Sequence, residues 1–363
     1  MLTNYFPFPE SWKNRSYLNA AAGSPMITKA YDEAIKFYEE IAKNGDISWD
    51  DWMERLETTR ALVSKFINTD KDNISFQLNT SGSMGLLAMM LESKYKKVLT
   101  MDQEFPSTTL PWLYRGYDVE FLANKDNVYD LGDIEQRLSK GDVDILVTSH
   151  IQYSTGFKQD LEELGKLCEE YGVLFIVNAT QSAGQTVIDV ERFRCDALMF
   201  DGYKWLCSGY GVCVLYLSKW LLSEFDPPTI GWLSVENEFE MINTNLRLKK
   251  DSRKFELGCP QLPCIFALYG ALNFFLEKGT DTIERHNLGL RSYLESLLDD
   301  RGIEYIDLPE KNKSGIVVLK GFDKDTVHRL ENNGVYVSYR KGLRISLHFY
   351  NDEQDIERLL KHL

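Results

Sequence analysis

The stretch DILVTSHIQYSTGFKQDLEELGKLCEEYGVLFIVNATQSAGQTVIDVERFRCDALMFDGYKWLCSGYGVCVLYL, residues 144–217, decides the fold. It contains four short apolar runs, DILVTSH, VLFIVNA, DALMFDG and GVCVLYL, each bounded by polar or turn-forming residues and each reading as a buried strand. Between the first two lies DLEELGKLCEEYG, an amphipathic run with Asp160 at its start and Gly172 just past its end, which are helix start and stop signals. Upstream, KKVLTMD (96–102) and DVEFLAN (118–124) repeat the strand pattern. Strands alternating with helices in this way specify an α/β fold, a mostly parallel sheet covered on both faces by helices.

In an open sheet of this kind, ligands bind beyond the carboxyl ends of the strands, so the residues just after each run are the ones that can carry chemistry. After ISFQL the chain passes through Thr80, Ser81, Gly82 and Ser83 into a helix, and the free amides and hydroxyls of a helix N-terminus can seat a phosphate. The same residue types also serve simply as caps. After VLFIV come Asn178, Ala179, Thr180 and Gln181, and after DALMF come Asp201, Gly202, Tyr203, Lys204 and Trp205. A lysine directly after an apolar strand and between aromatics loses solvation as an ammonium, which lowers its basicity. Lowered basicity is what a Schiff-base lysine needs. The alternative for Lys204 is a stem lying on apolar surface with its head in water.

From about residue 260 the texture changes. CIFALYGALNFFLEKG and DTIERHNLGLRSYLESLLDDRG read as long helices, SGIVVLKG and VYVSYRKGLRISLHFY as strand-like pieces, and DEQDIERLLKHL as a last helix. The pattern divides the chain into a large α/β domain over 21–250 and a smaller α+β domain built from 1–20 and 251–363. The proline-rich opening segment is expected to dock on the smaller unit.

The 55 acidic and 41 basic residues give a net charge of -14, which disfavours nucleic acid and anionic membrane as partners and points to a small molecule. The basic run RLKKDSRK (247–254) is read as a solvated face or loop. No apolar run reaches the roughly 18 residues of a membrane span, and the start lacks a charged segment followed by an apolar one, so a cytoplasmic protein is expected. Cys168, Cys195, Cys207, Cys213, Cys259 and Cys264 read as reduced thiols, mostly of the core, and their spacing fits no zinc site; no metal is expected.

The order of these pieces resembles the aminotransferase class V family, which includes cysteine desulfurases, kynureninases and isopenicillin-epimerase-like proteins. The core of the resemblance runs from Ser149 to Leu217. YLNAAAGSP, DQEFPSTTLPW, FELGCPQLPCIFALYGALNFFLEKG and LRISLHFYNDEQDIERLL extend it over nearly the whole chain. It implies the pyridoxal-phosphate-dependent transferase fold, type I, in a homodimer. It also implies pyridoxal 5'-phosphate held on Lys204 as an internal aldimine, with Lys204 as the catalytic base. By the same resemblance, Tyr203 and the Thr80, Ser81, Gly82, Ser83 turn hold the phosphate, Phe105 stacks on the ring, Gln181 bonds its 3-oxygen, and Arg344 clamps a substrate carboxylate.

Two residues depart from the family's pattern. Asn178 stands where the family has an aspartate that pairs with the ring nitrogen, which puts part of the electron-withdrawing power in doubt. Cys259 stands where a threonine commonly reaches the phosphate of the neighbouring subunit's cofactor, and a thiol is the weaker hydrogen-bonding group. No cysteine follows Cys264, from which desulfurase chemistry is expected to be absent. The resulting expectation is a class V aminotransferase acting on a small amino acid. The alternatives are an epimerase or lyase of the same family, or a catalytically weak pyridoxal-phosphate-binding relative with a regulatory or scaffolding role.

Overall fold

The computed structural model describes residues 5–363. Its central sheet has seven strands, in the spatial order Ile74–Gln77, Cys213–Leu217, Ala197–Asp201, Leu174–Asn178, Ile145–Ser149, Lys97–Met101 and Asp118–Leu122. Every pairing is parallel except those of Cys213–Leu217, which runs antiparallel to both neighbours. The four strands from Ile145 to Leu217 are buried at every residue, as a sheet covered on both faces requires. The edge strand Asp118–Leu122 is the exposed one, and its Asp118 and Glu120 supply the charges that discourage edge-to-edge pairing.

Local signals set the helices that cover this sheet. In Leu161–Tyr171 the Asp160 side chain accepts the amide of Glu163, and Gly172 ends the helix at a φ of 66°, as the sequence suggested. The helix after the first strand begins at Thr80 itself, earlier than the hydroxyl run implied. Asn79 is its N-cap, accepting from the Gly82 amide, and the helix Thr80–Leu91 is apolar around most of its surface because it is buried against the sheet.

The C-terminal residues form a second, three-stranded antiparallel sheet of Ser338–Tyr339, Leu343–Ser346 and Ile316–Leu319, packed by the helices Thr280–Asp300, Lys324–Asn332 and Glu353–His362. Of the opening segment, residues 1–4 lie outside the described residues; Ser16–Tyr17 pairs in parallel with Val335–Tyr336. The basic run is only in part the solvated loop expected from its charge, with Arg247 and Lys250 exposed. Lys254 is buried, and its ammonium donates to the carbonyls of Leu222 and Phe225 and pairs with Asp226, while Arg253 is held by Asp251. These local partners offset the cost of desolvating the Lys254 ammonium.

Trp205 joins the two sheets. It is fully buried, its indole N–H donates to Gln181 Oε1 at 2.8 Å, and its carbonyl lies 2.6 Å from Nε2 of His348, beyond the last strand. Burial holds the His348 pKa down to about 3, so the ring is neutral and donates one N–H to that carbonyl. Gly184, at a φ of 104°, brings the preceding loop so close that a Cβ there would stand 2.5 Å from the same carbonyl oxygen.

Candidate active site

The strands Ile74–Gln77, Ile145–Ser149, Leu174–Asn178 and Ala197–Asp201 all deliver their carboxyl ends to one cavity, where the switch in strand order opens the sheet. Its lining includes Thr80, Ser81, Phe105, Asn178, Gln181, Tyr203 and Lys204, all singled out from the sequence. Gly82, Ser83, Cys259 and Arg344 do not line it.

Lys204 is buried, and its Nζ lies 5.6 Å from the centre of the Phe105 ring and 5.5 Å from that of Tyr203. Desolvation, with the repulsion of the Arg344 guanidinium added to it, lowers the Lys204 pKa to about 8 against the opposing pull of Asp201. At pH 7 about a tenth of such amines are neutral, against well under a thousandth for an ordinary lysine. The turn that carries it is fixed from both sides. The Ser24 amide donates to the Tyr203 carbonyl, and the Cys207 amide to that of Lys204.

At one end of the cavity two helix N-termini converge. Ser81, at the second position of Thr80–Leu91, and Ser107, at the second position of Pro106–Tyr114, place their hydroxyls 2.6 Å apart and in reach of solvent. Together they form an anion seat of hydroxyls and end-of-helix amides. Tyr203 stacks on Tyr210 at 4.3 Å and lines the same cavity. Ser83 points elsewhere, toward the Asn79 carbonyl and Cys213, and the Gly82 amide is taken by Asn79. Cys259 is exposed on a separate groove beside Leu257 and Pro260.

Asn178 donates from Nδ2 to Thr108 Oγ1 at 3.0 Å and accepts the Thr180 amide on Oδ1 at 3.0 Å, so one N–H of its amide is still unused. Gln181 is committed on both atoms, with Nε2 to the Ala21 carbonyl and Oε1 to Trp205. Arg344, in the strand Leu343–Ser346, donates from Nε to Ser338 Oγ at 3.0 Å and from Nη1 to the Tyr153 carbonyl at 2.6 Å. Its Nη2 has no hydrogen-bond partner among the described residues. Tyr153 in turn lines the cavity and meets Phe105 edge-on at 5.2 Å, so the guanidinium bonds a residue of the cavity wall from outside the lining.

Two carboxylates at this site were not singled out from the sequence. Glu104, just before Phe105, is buried and accepts from the Ser149 amide and hydroxyl, Thr148 Oγ1 and Gln152 Nε2. Burial raises its pKa in spite of these four bonds. Asp201 ends the strand that leads to Lys204 and accepts the Thr80 amide at 2.9 Å. Asp201 is the residue directly after the run DALMF, whereas Glu104 precedes the aromatic that only the family resemblance named.

The residues present suit pyridoxal phosphate. A buried amine with lowered basicity stands beneath an aromatic ring, an amide with an unused donor sits at the strand end beside it, and a hydroxyl-lined pair of helix ends can take an anion. The described residues contain no group of side chains that could hold a metal ion.

The family model for Aminotransferase class-V matches residues 16–359. A probable cysteine desulfurase of Pyrococcus abyssi is 29% identical over 85% of this chain and 82% of its own length, and one of Methanothermobacter thermautotrophicus is 27% identical over 96% and 93%. Among solved structures, the apo cysteine desulfurase of Thermococcus onnurineus superposes with a TM-score of 0.90 at 24% identity, over 99% of this chain and 96% of that one. A cystine C–S lyase in complex with its product, cysteine persulfide, superposes at 0.86 with 20% identity, over 97% and 98%. At these identities the superpositions speak for the fold.

These relatives overturn the expectation of an aminotransferase without desulfurase activity. A missing cysteine beyond Cys264 removes one place to carry sulfur away, but it says nothing about whether the carbon–sulfur bond can be broken. The match over nearly the full length therefore settles what the strand-end residues suggested: the chain belongs to the aminotransferase class V family, and pyridoxal phosphate is its cofactor.

Proposed function

We propose that this protein cleaves the carbon–sulfur bond of cysteine or of a cysteine-derived amino acid. The observation that carries the amino-acid part is a Lys204 amine of lowered basicity within electrostatic reach of a buried Arg344 guanidinium whose Nη2 has no partner among the described residues. A cation held by Ser338 and Tyr153 with one donor edge spare is matched to an α-carboxylate. The names of the relatives supply the sulfur.

The bound cofactor supplies an electron sink for the α-carbon. The chain supplies the rest. Arg344 fixes the carboxylate, which orients the α-hydrogen toward Lys204 Nζ. Nζ, with a pKa of about 8, can take that proton near neutral pH and return it. Phe105, held edge-on by Tyr153 and lining the cavity beside Lys204, would shield one side of the bound cofactor from water.

The same reading makes the protein a cytoplasmic homodimer. Its six cysteines are unpaired, as in a reducing compartment, and Leu78, Leu113, Tyr114 and Leu257 leave an apolar rim exposed beside the cavity. Cys259, on that rim, would then face the partner's cofactor.

Incubating the cofactor-loaded protein with L-cysteine or L-cystine, with dithiothreitol as sulfur acceptor, tests the reading. Sulfide or persulfide should appear together with alanine or with pyruvate and ammonia. Alanine marks desulfuration, and pyruvate marks elimination. Transfer of the amino group to a 2-oxo acid with no sulfur released would refute it.

A further inference from the structure

Asp201 places a carboxylate at the start of the helix Thr80–Leu91, one of the two helix ends that form the anion seat. It ends the strand Ala197–Asp201, is 7% exposed, and lines the cavity together with Thr80, Ser81 and Tyr203. Its Oδ1 accepts the Thr80 amide at 2.9 Å, so the first N–H of the helix Thr80–Leu91 is already occupied by an internal anion. The Thr80 hydroxyl is likewise engaged, with Thr180 Oγ1 at 2.8 Å. A helix end attracts one anion well; a second, doubly charged one beside the first meets repulsion in a site with little water to screen it.

The groups facing Asp201 are Thr80 from the helix, Cys213 from the antiparallel strand, and Tyr203 and Lys204 from the following turn. Lys204 is the cation among them, and joining the cofactor ties up its amine. We propose that Asp201 takes up a proton from solvent when the phosphorylated cofactor docks, and that the resulting carboxylic acid donates its O–H to a phosphate oxygen. The phosphate is then gripped more loosely as pH rises. Burial, the largest influence on this carboxyl, already pushes its pKa up before any phosphate arrives. The proposal rests on the cofactor, and it stands whether or not the substrate contains sulfur.

The test compares two ligands that differ only in the phosphate. Dissociation constants of pyridoxal phosphate and of pyridoxal are measured by absorbance on the apo protein between pH 7 and pH 9, where the phosphate (second pKa about 6) is almost fully dianionic. In the wild type, the preference for the phosphorylated form should fall with rising pH, by up to about tenfold per pH unit for one coupled proton. Asp201→Asn, whose amide donates at every pH, should hold that preference level. It should bind pyridoxal phosphate at pH 9 at least about tenfold more tightly than the wild type does, with pyridoxal affinity unchanged. A wild-type preference that does not change over this range overturns the proposal, as does the wild-type slope in Asp201→Asn. If Asp201→Asn no longer binds pyridoxal, the pocket itself is damaged; Asp201→Ser replaces it, and the wild-type slope still decides.

Discussion

Replacing Arg344 by alanine should separate substrates by whether they carry a carboxylate. The side chain is 2% exposed, and burial, with Arg340 adding repulsion, lowers its pKa only to about 10, so it stays a cation at working pH. Two of its nitrogens are spent on Ser338 and the Tyr153 carbonyl, which leaves Nη2 for the ligand. A hydrogen bond to a charged group contributes about 1.5–3 kcal/mol, so losing it weakens carboxylate binding by roughly ten- to 150-fold. The fold pays separately, because the Tyr153 carbonyl loses its donor in a largely buried position, at about 1–3 kcal/mol. The assay is KM for L-cysteine against KM for cysteamine, which lacks the carboxylate, with urea denaturation on the same preparations. Cysteine should lose the predicted factor while cysteamine stays within about threefold, and Arg344→Lys should recover part of the loss. Equal losses for both substrates, scaling with the loss of stability, would show that Arg344 only holds the strand.

The remaining expectations concern the lysine turn and the strand-end amide. Trp205→Ala should destabilise the protein by about 3–5 kcal/mol in urea, because a fully buried indole and its bond to Gln181 vanish from the junction of the two sheets. Capture of pyridoxal by the apo protein should accelerate with pH and level off above about 8, the pKa at which Lys204 becomes a neutral amine; a plateau only near pH 10 would refute that value. Asn178→Asp should raise the turnover of the loaded enzyme by about ten- to a hundred-fold if the amide limits the ring's electron demand. An unchanged or lower rate at full cofactor occupancy would mean that the site already works with a neutral partner at the ring nitrogen.

The central sheet was legible because its strands are buried on both faces and therefore spell out apolar runs such as LFIVN and ALMFD, each followed at once by polar residues. Asn178, Tyr203 and Lys204 stand directly after such runs, whereas Phe105 was named only through the family resemblance. Arg344 lies far away in sequence, and its nearness to the cavity depends on the Tyr153 carbonyl, which no local pattern encodes. Ser83 and Gly82 were overread, since a run of hydroxyls at a helix start does not say which of them faces a ligand and which meets Cys213 or the cap. Glu104 and Asp201 were passed over because a carboxylate beside an aromatic or a lysine looks like ordinary surface until its burial is known. Glu104 bears on Asn178, since it sets a carboxyl group near the strand-end amide where the motif alone showed none. Glu104 bonds Ser149, which pairs in register with Asn178 on the next strand.

Lys204 is proposed to carry the cofactor, and reductive trapping tests this most directly. The loaded protein is treated with borohydride, digested, and mapped by mass spectrometry. The pyridoxyl label should sit on Lys204 in the peptide spanning DGYKW, and Lys204→Ala should show neither the label nor the visible absorbance band. A label on any other lysine, or a band that survives in Lys204→Ala, would contradict the account.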